Sequence, residues 1–307
     1  MNKNCGASGC ALGPFREPST DIGLPFYFCP ACTALRLPEE ALLHSEVEPD
    51  RQARTPGIMS ILFRMREVWL KLFIPELRHD QVTILDAGCG DGQFLEYLTR
   101  RGFSNACGYE INSARLKNAQ RRGVKTFPDL VSAVSAQGPR FRVIFLWHVF
   151  EHIPQPVPVL QDLLRYLEPE GVLILSVPNH GSLQTRLFGK FSAFVDYHRH
   201  LWFFRSSYFD WLKQALPGFT VRRIRDLNFE YEIYGWIDTL AAALLRRTNF
   251  VHLALKKNEG GAGRRLAAAA IALTLAPAAG LLAGVTVLAQ AHASTLTYAI
   301  RPNKTVS

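Results

Sequence analysis

The stretch Val82-Thr-Ile-Leu-Asp-Ala-Gly-Cys-Gly-Asp-Gly-Gln-Phe94 limits what this chain can fold into more than any other. Val82 to Leu85 is a short aliphatic, β-branched run that reads as a buried strand, with Asp86 at its carboxyl end. Gly88, Gly90 and Gly92 follow at alternate positions, where the missing Cβ permits a sharp turn and lets a ligand approach the backbone. From Gln93 the pattern turns helical, with Phe94, Leu95 and Leu98 on one face. A strand, a glycine turn and a helix N-terminus together make a nucleotide pocket. The spacing is G-x-G-x-G behind a carboxylate rather than the dinucleotide G-x-G-x-x-G, which favours a cationic, phosphate-free ligand over a pyrophosphate. Ala106-Cys-Gly-Tyr-Glu110 reads as a second strand ending in an acid, about 20 residues past the glycines, where a carboxylate can accept both ribose hydroxyls. Asp86 and Glu110 together point to an adenosine ligand.

These residues resemble the class I S-adenosylmethionine-dependent methyltransferases: Leu85 to Phe94 is similar to their first motif and Gly108-Tyr-Glu110 to their second-strand acid. The resemblance covers roughly residues 56 to 226 plus a final strand. It implies an α/β fold with a Rossmann-like seven-stranded sheet, S-adenosyl-L-methionine as cofactor, and Asp86, Gly88, Cys89, Gly90, Gly92 and Glu110 as its contacts. Cys89 and Cys107 also read simply as small buried residues. Asn112 is a candidate cap for a helix running to Arg122, and Gly123 to Phe127 reads as a third strand. The resemblance places an adenine contact near Asp129, while an N-cap for Leu130 to Ala136 is the equal alternative.

Phe141-Arg-Val-Ile-Phe-Leu-Trp147 is a fourth strand, buried on both faces by its continuous apolar run. Its sequel, His148-Val-Phe-Glu151-His152-Ile-Pro154, matches the letters of the H-x-x-E-H zinc-peptidase motif. That chemistry needs both histidines on one helix, which Pro154, Pro156 and Pro158 forbid. The same letters resemble the strand-four motif of one methyltransferase branch. This resemblance implies Trp147 beside the cofactor, with His148 and His152 facing the methyl-bearing sulfur and the acceptor, to bind substrate or take its proton. A helix from Val159 to Leu167 and a fifth strand from Val172 to Val177 follow. Asp196-Tyr-His-Arg199-His200-Leu201 then resembles the branch's acceptor-side D-x-P-R-H-L motif, with His198 in place of the proline. His200 is the third catalytic candidate, and Arg199 could position an anionic or hydroxylated acceptor. A stacked core histidine is the competing role for His200. Ser206 is read as the cap of a helix from Tyr208 to Ala215, and Phe219 to Ile224 as a sixth strand.

Four of the six cysteines lie near the start, Cys5 and Cys10, then Cys29-Pro-Ala-Cys32 after eighteen residues. Two close thiol pairs suit a structural tetrahedral Zn2+ in a ribbon-like segment of residues 1–45, which could hardly fold without such a staple. A redox pair at Cys29 and Cys32, or unliganded thiols, are the other readings. Residues 37 to 56 are polar and turn-rich, as in a linker, and the methyltransferase core is assigned to 46–225. Ile58, Ile61, Leu62, Met65, Trp69, Leu72 and Phe73 define one apolar face of a helix ended by Pro75.

Ser294 to Ile300 is the seventh strand, pairing antiparallel with the sixth, within a last segment of 293–307. Residues 226–292 are then an insertion, holding an amphipathic helix from Tyr234 to Leu245 and an uncharged run from Leu266 to Ala289. That run is long enough to cross a bilayer. One crossing would strand the seventh strand on the wrong side, and Pro277 and Gly280 are expected to divide the run. A helical hairpin lying in the membrane interface is therefore predicted, with a protein-buried lid or dimer surface as the alternative. The net charge of +9 is dispersed, with no basic stripe interleaved with aromatic residues, so nucleic acid is not an expected partner. Arg246-Arg247, Lys256-Lys257 and Arg264-Arg265 flank apolar sequence instead, favouring an anionic membrane surface. Without an apolar run in residues 1–10, a cytoplasmic location is expected, peripheral on the inner face of the membrane. The expected activity is methyl transfer to oxygen of a small or lipid-linked acceptor, with an envelope sugar or glycolipid favoured by resemblance alone. A catalytically silent membrane-associated scaffold and an NAD-dependent oxidoreductase are the alternatives. Oligomeric state is not fixed by the sequence.

Overall fold

The structure, a computed structural model, describes residues 13–15, 26–37, 57–78, 81–138, 140–196, 199–225, 229–256, 261–289 and 293–303. A short N-terminal unit contributes β1 (Gly13–Phe15), β2 (Phe26–Phe28) and β3 (Leu35–Arg36). Helix α1 (Gly57–Phe73) leads into an alternating series: β4 (Ile84–Ala87), α2 (Gln93–Arg100), β5 (Ala106–Tyr109), α3 (Ser113–Arg121), β6 (Thr126–Phe127), α4 (Leu130–Gln137), β7 (Phe141–Trp147), α5 (Pro156–Arg165) and β8 (Leu167–Pro178). Then come α6 (Leu183–Phe188), β9 (Trp202–Phe203), α7 (Ser206–Ala215), β10 (Phe219–Arg223), α8 (Phe229–Leu245), α9 (Gly261–Leu288) and β11 (Thr295–Pro302).

The central sheet has the order β10-β11-β8-β7-β4-β5-β6. Strands β8, β7, β4, β5 and β6 are parallel, and β11 enters antiparallel between β8 and β10. The seven strands and the antiparallel last pair therefore agree with expectation. Strands β4 and β7 are almost wholly buried because helices cover both faces. The β4 and β7 carboxyl ends open toward one crevice, the usual ligand position in such sheets.

Several expectations need correction. In α1, Met65 and Leu72 are 50% and 64% exposed, whereas Arg66 and Glu67 are buried with Phe63, Trp69 and Leu70. Burial of these charges is possible because Glu67 accepts from Lys71 Nζ at 2.6 Å, Tyr97 OH at 2.5 Å and Arg101 Nε at 3.0 Å. Arg66 lies over the Trp147 ring, 4.7 Å from its centroid. Ser206 does not cap α7: it is the first helical residue, Arg205 holds the cap position, and no side-chain cap bond forms. The prolines after His152 do more than end a helix, since Pro156 starts α5 at a position where a missing N–H costs nothing.

The predicted division at Pro277 does not occur, because α9 runs unbroken through it for 28 residues. Pro277 faces solvent, while Ala279, Ala283, Thr286 and Val287 are buried. Packing of that inner face along α8 holds both halves in line despite the lost backbone bond. Glu232, near the start of α8, accepts from Thr286 Oγ1 at 2.9 Å and Ser294 Oγ at 2.8 Å. The two helices therefore run antiparallel, and the hairpin lies between α8 and α9 instead of within α9. Trp236 anchors the pair against Phe188 and Leu183 of the core.

Strand β3 pairs with β2 on one side and with β9 on the other. Cys29, Cys32 and Ala34 are buried in the main hydrophobic core with Leu201, Trp202, Phe204 and Tyr208. This N-terminal unit is thus stapled by the core itself, which supplies stability that the sequence attributed to metal alone. Cys5, Cys10, the 38–56 linker and His198 lie outside the described residues.

Candidate functional site

The glycine turn is built as its spacing requires. Gly88, Gly90 and Gly92 have φ of 76°, 57° and 73°, the left-handed region that L side chains rarely adopt. Gly88 N and Cys89 N donate to Tyr109 O at 2.9 and 3.1 Å, which tethers the turn to the end of β5. A Cβ on Gly88 would lie 2.7 Å from Val149 Cγ2, whereas one on Gly90 would meet nothing within 4 Å. Gly90 thus leaves its backbone open to a ligand. Glu110 accepts from Gly90 N at 3.0 Å and from Asn112 N at 2.8 Å. Its carboxylate fixes the loop across the β4–β5 crevice, and its remaining lone pairs stay available to hydroxyls. Asn112 caps α3 as expected, accepting from Ala114 N and Arg115 N.

Asp86 is 6% exposed at the end of β4. Burial pushes its carboxyl up to about 7; the Arg66 guanidinium works against that rise and Glu110 adds to it. A buried acid in this state suits a cationic ligand group, which would take the place of solvent as its partner. Arg66 was missed by the sequence reading, because a cation on the inner face of an amphipathic helix carries no periodic signal. Cys89 borders the turn, half-buried, and Trp147 lies at the end of β7 beneath Arg66. Asp129 is the exposed N-cap of α4, its Oδ1 accepting from Ser132 N at 2.7 Å.

Across the sheet end lie the histidines. His148 immediately follows β7 with φ of 53°, a conformation that costs about 1–3 kcal/mol in a non-glycine residue and collects at functional sites. His148 N donates to Ser176 O at 2.9 Å, which ties the strained residue to β8. Its Nδ1 lies 3.5 Å from Glu151 Oε1, and His200 Nε2 lies 3.9 Å from the same oxygen. Glu151 is 1% exposed. Burial alone would raise its pKa, but the His148 contact and the charges of His152, His148 and His200 outweigh it and hold the carboxyl near 2. Burial, then the neighbouring His152, lowers His200 to about 4, so this ring is a neutral donor or acceptor at neutral pH. His152 Nδ1 sits 2.7 Å from Arg199 O, and its ring centroid is 4.9 Å from that of His200. Leu201 N donates to Glu151 O at 2.9 Å and Trp202 Nε1 to Ile153 O at 2.9 Å. The D-x-x-R-H-L segment is thereby clamped onto the strand-four motif, and all three catalytic candidates meet around Glu151. That carboxylate was not singled out from the sequence, although it stands inside the motif.

The cysteine pair forms a tight knuckle: Cys32 N donates to Cys29 Sγ at 3.4 Å, and Thr33 turns the chain with φ of 61°. Such N–H···S geometry fits half of a four-sulfur zinc site.

A family model described as "Methyltransferase domain" matches residues 61–223. Among curated proteins, the ubiquinone biosynthesis O-methyltransferase of Actinobacillus pleuropneumoniae serotype 7 (strain AP76) is 31% identical over 107 residues, covering 31% of this chain and 45% of that protein. The protein of the same name from Leptothrix cholodnii is 28% identical over 123 residues, covering 38% and 51%. The chain thus matches about half the length of these curated relatives. Among solved structures, the plantazolicin methyltransferase BpumL in complex with SAH is 15% identical with a TM-score of 0.47, covering 82% of this chain and 86% of that one. A SAM-dependent methyltransferase from Archaeoglobus fulgidus is 21% identical with a TM-score of 0.42, covering 52% and 71%. With more than half of its residues inside the matched region, the chain belongs to the methyltransferase-domain family.

Proposed function

We propose that this protein is an S-adenosylmethionine-dependent methyltransferase acting on an oxygen of a small or lipid-linked acceptor. The observation that carries the reading is the opposition at one sheet end of two built groups. On one side are the open Gly90 backbone, Asp86 and Glu110; on the other is the strained His148 with its buried carboxylate. When bound, the sulfonium supplies an already activated methyl group, which leaves the protein to position and dehydrate the reactants. Glu110 and the Gly90 backbone hold the adenosine end, with Asp129 near the adenine edge. Asp86 takes the cationic amino-acid end, and Trp147 walls off water. His148 accepts the acceptor's proton, His200 and His152 shape the acceptor side, and Arg199 offers charge at the rim. An envelope sugar or glycolipid is the acceptor class we favour, on resemblance to one methyltransferase branch.

A membrane-facing role for the insertion fits this acceptor class. Leu266, Leu273, Leu281 and Leu288 of α9 are 72–82% exposed, and exposed Arg246, Arg247 and Arg265 lie at the end where α8 stops and α9 begins. This arrangement supports peripheral binding to an anionic cytoplasmic leaflet. Cys29 and Cys32, with Cys5 and Cys10, would hold a structural Zn2+. The test is calorimetric titration with S-adenosylhomocysteine together with His148→Ala. One site per chain is expected, with cofactor affinity retained and methyl transfer to envelope extract lost in the variant. Absence of cofactor binding would end the reading, and full activity in the variant would remove His148 from the chemistry.

A further inference from the structure

The geometry points to a divalent-cation site formed by Glu151, His152 and His200 beside the acceptor pocket. One donor atom from each of these residues lies within 4.8 Å of the others. Neither Glu151 oxygen has a hydrogen-bond partner among the described residues, although the residue is 1% exposed. Its two histidine neighbours stand at 3.5 and 3.9 Å, beyond hydrogen-bond length. A carboxylate this deeply buried, held only by these loose imidazole contacts and accepting no hydrogen bond from the described residues, is costly to leave in that state. A cation between Glu151 and the imidazoles removes that cost.

The surroundings also prepare the histidines as ligands. His152 Nδ1 is 2.7 Å from the Arg199 carbonyl, so it must carry the proton and donate it, leaving the Nε2 lone pair free for a metal. His200 Nδ1 is buried with no hydrogen-bond partner among the described residues, so neither ring nitrogen is committed to a backbone group. Two clamps hold the segments in register, Leu201 N to Glu151 O and Trp202 Nε1 to Ile153 O. The set is unlike the H-x-x-E-H peptidase pattern, since Phe150–His152 is a single 3-10 turn and His200 comes from a distant loop. Two imidazoles and one carboxylate suit a borderline cation such as Zn2+, Mn2+, Fe2+ or Co2+ better than Mg2+ or Ca2+, and three protein ligands leave positions open.

Those positions give the cation a task, which rests on the methyltransferase reading whereas the site does not. A hydroxyl of the acceptor bound there becomes more acidic. Its proton passes to His148, and its oxygen lone pair forms the new bond to the methyl carbon. The carbon–sulfur bond breaks, with its electron pair remaining on sulfur. The acceptor class is narrowed to hydroxyl compounds able to ligate a metal.

The experiment is a titration of metal-stripped full-length protein with Co2+, read by visible absorption. A d–d spectrum of nitrogen and oxygen ligation is expected, separate from any near-ultraviolet thiolate band due to the cysteines. Glu151→Gln and, independently, the surface-accessible His152→Gln should each weaken that spectrum's midpoint by about tenfold or more. S-adenosylhomocysteine binding, measured in parallel, should persist in both variants. A thiolate band alone, or a nitrogen–oxygen spectrum unchanged in both variants, would overturn the site. Loss of cofactor binding in the native protein would instead overturn the methyltransferase reading, so the two failures are distinguishable.

Discussion

Gly90 and Gly92 share a left-handed backbone, yet a methyl group would meet opposite surroundings at the two positions. At Gly92 a Cβ would lie 2.8 Å from Val124 Cγ2, 2.9 Å from Ala119 Cβ and 3.1 Å from Ala119 Cα. The last of these is α3 backbone and cannot rotate aside. At Gly90 nothing lies within 4 Å. Left-handed strain for alanine costs about 1–2 kcal/mol at either position. Forced repacking adds about 1–3 kcal/mol at Gly92 alone. Urea denaturation should therefore show Gly92→Ala less stable by about 2–5 kcal/mol and Gly90→Ala by about 1–2 kcal/mol. The open space above Gly90 is assigned to the cofactor, so Gly90→Ala should weaken S-adenosylhomocysteine binding about tenfold or more, a loss of about 1.4 kcal/mol by calorimetry. Native affinity in Gly90→Ala would show that this space is not the cofactor's. Equal destabilisation in the two variants would refute the packing argument.

Asp86, raised to about 7 by burial, keeps in the folded state a proton that the unfolded chain loses in the ordinary carboxylate range. It therefore subtracts stability as pH rises through that window to about 7. A cationic ligand group must displace this proton, so S-adenosylhomocysteine affinity should rise about tenfold between pH 6 and 8 and become flat in Asp86→Asn; an equal rise in the variant would clear Asp86 of the effect. Glu232 is 3% exposed and joins α8 to α9 and to the residue that leads into β11 through Thr286 and Ser294. Glu232→Ala strands those donors and should cost about 2–4 kcal/mol in urea unfolding; a change below about 1 kcal/mol would mean that the insertion is held by apolar packing alone. Leu273→Glu and Leu281→Glu, at positions 76% and 74% exposed, should abolish co-flotation with phosphatidylglycerol-rich vesicles without shifting the thermal midpoint. Flotation unaffected by both would remove α9 from the membrane.

The sequence determined by itself whatever depends on neighbours along the chain. Gly88, Gly90 and Gly92 are legible because only glycine takes the turn at φ of 57–76° without strain. The Asn112 cap is legible because its acceptors lie two and three residues away. Phe141 to Trp147 is legible because a strand covered on both faces is apolar along its length, and Arg142 is the one charged residue in it. The helical face of α1 was misread because hydropathy cannot show that Arg66 and Glu67 find partners on β7 and α2. Pro277 was read as a break because its missing N–H is a local fact, whereas the α8 surface that keeps α9 straight is not. Only the tertiary structure decided that His200, distant in sequence from His152, closes on Glu151. Only it decided that β3 finds its fourth strand in β9. Local conformation is set by interactions a few bonds away, which residue order records. Burial, charge pairing and the assembly of a site are set by which segments meet, and those encounters are fixed when the chain packs.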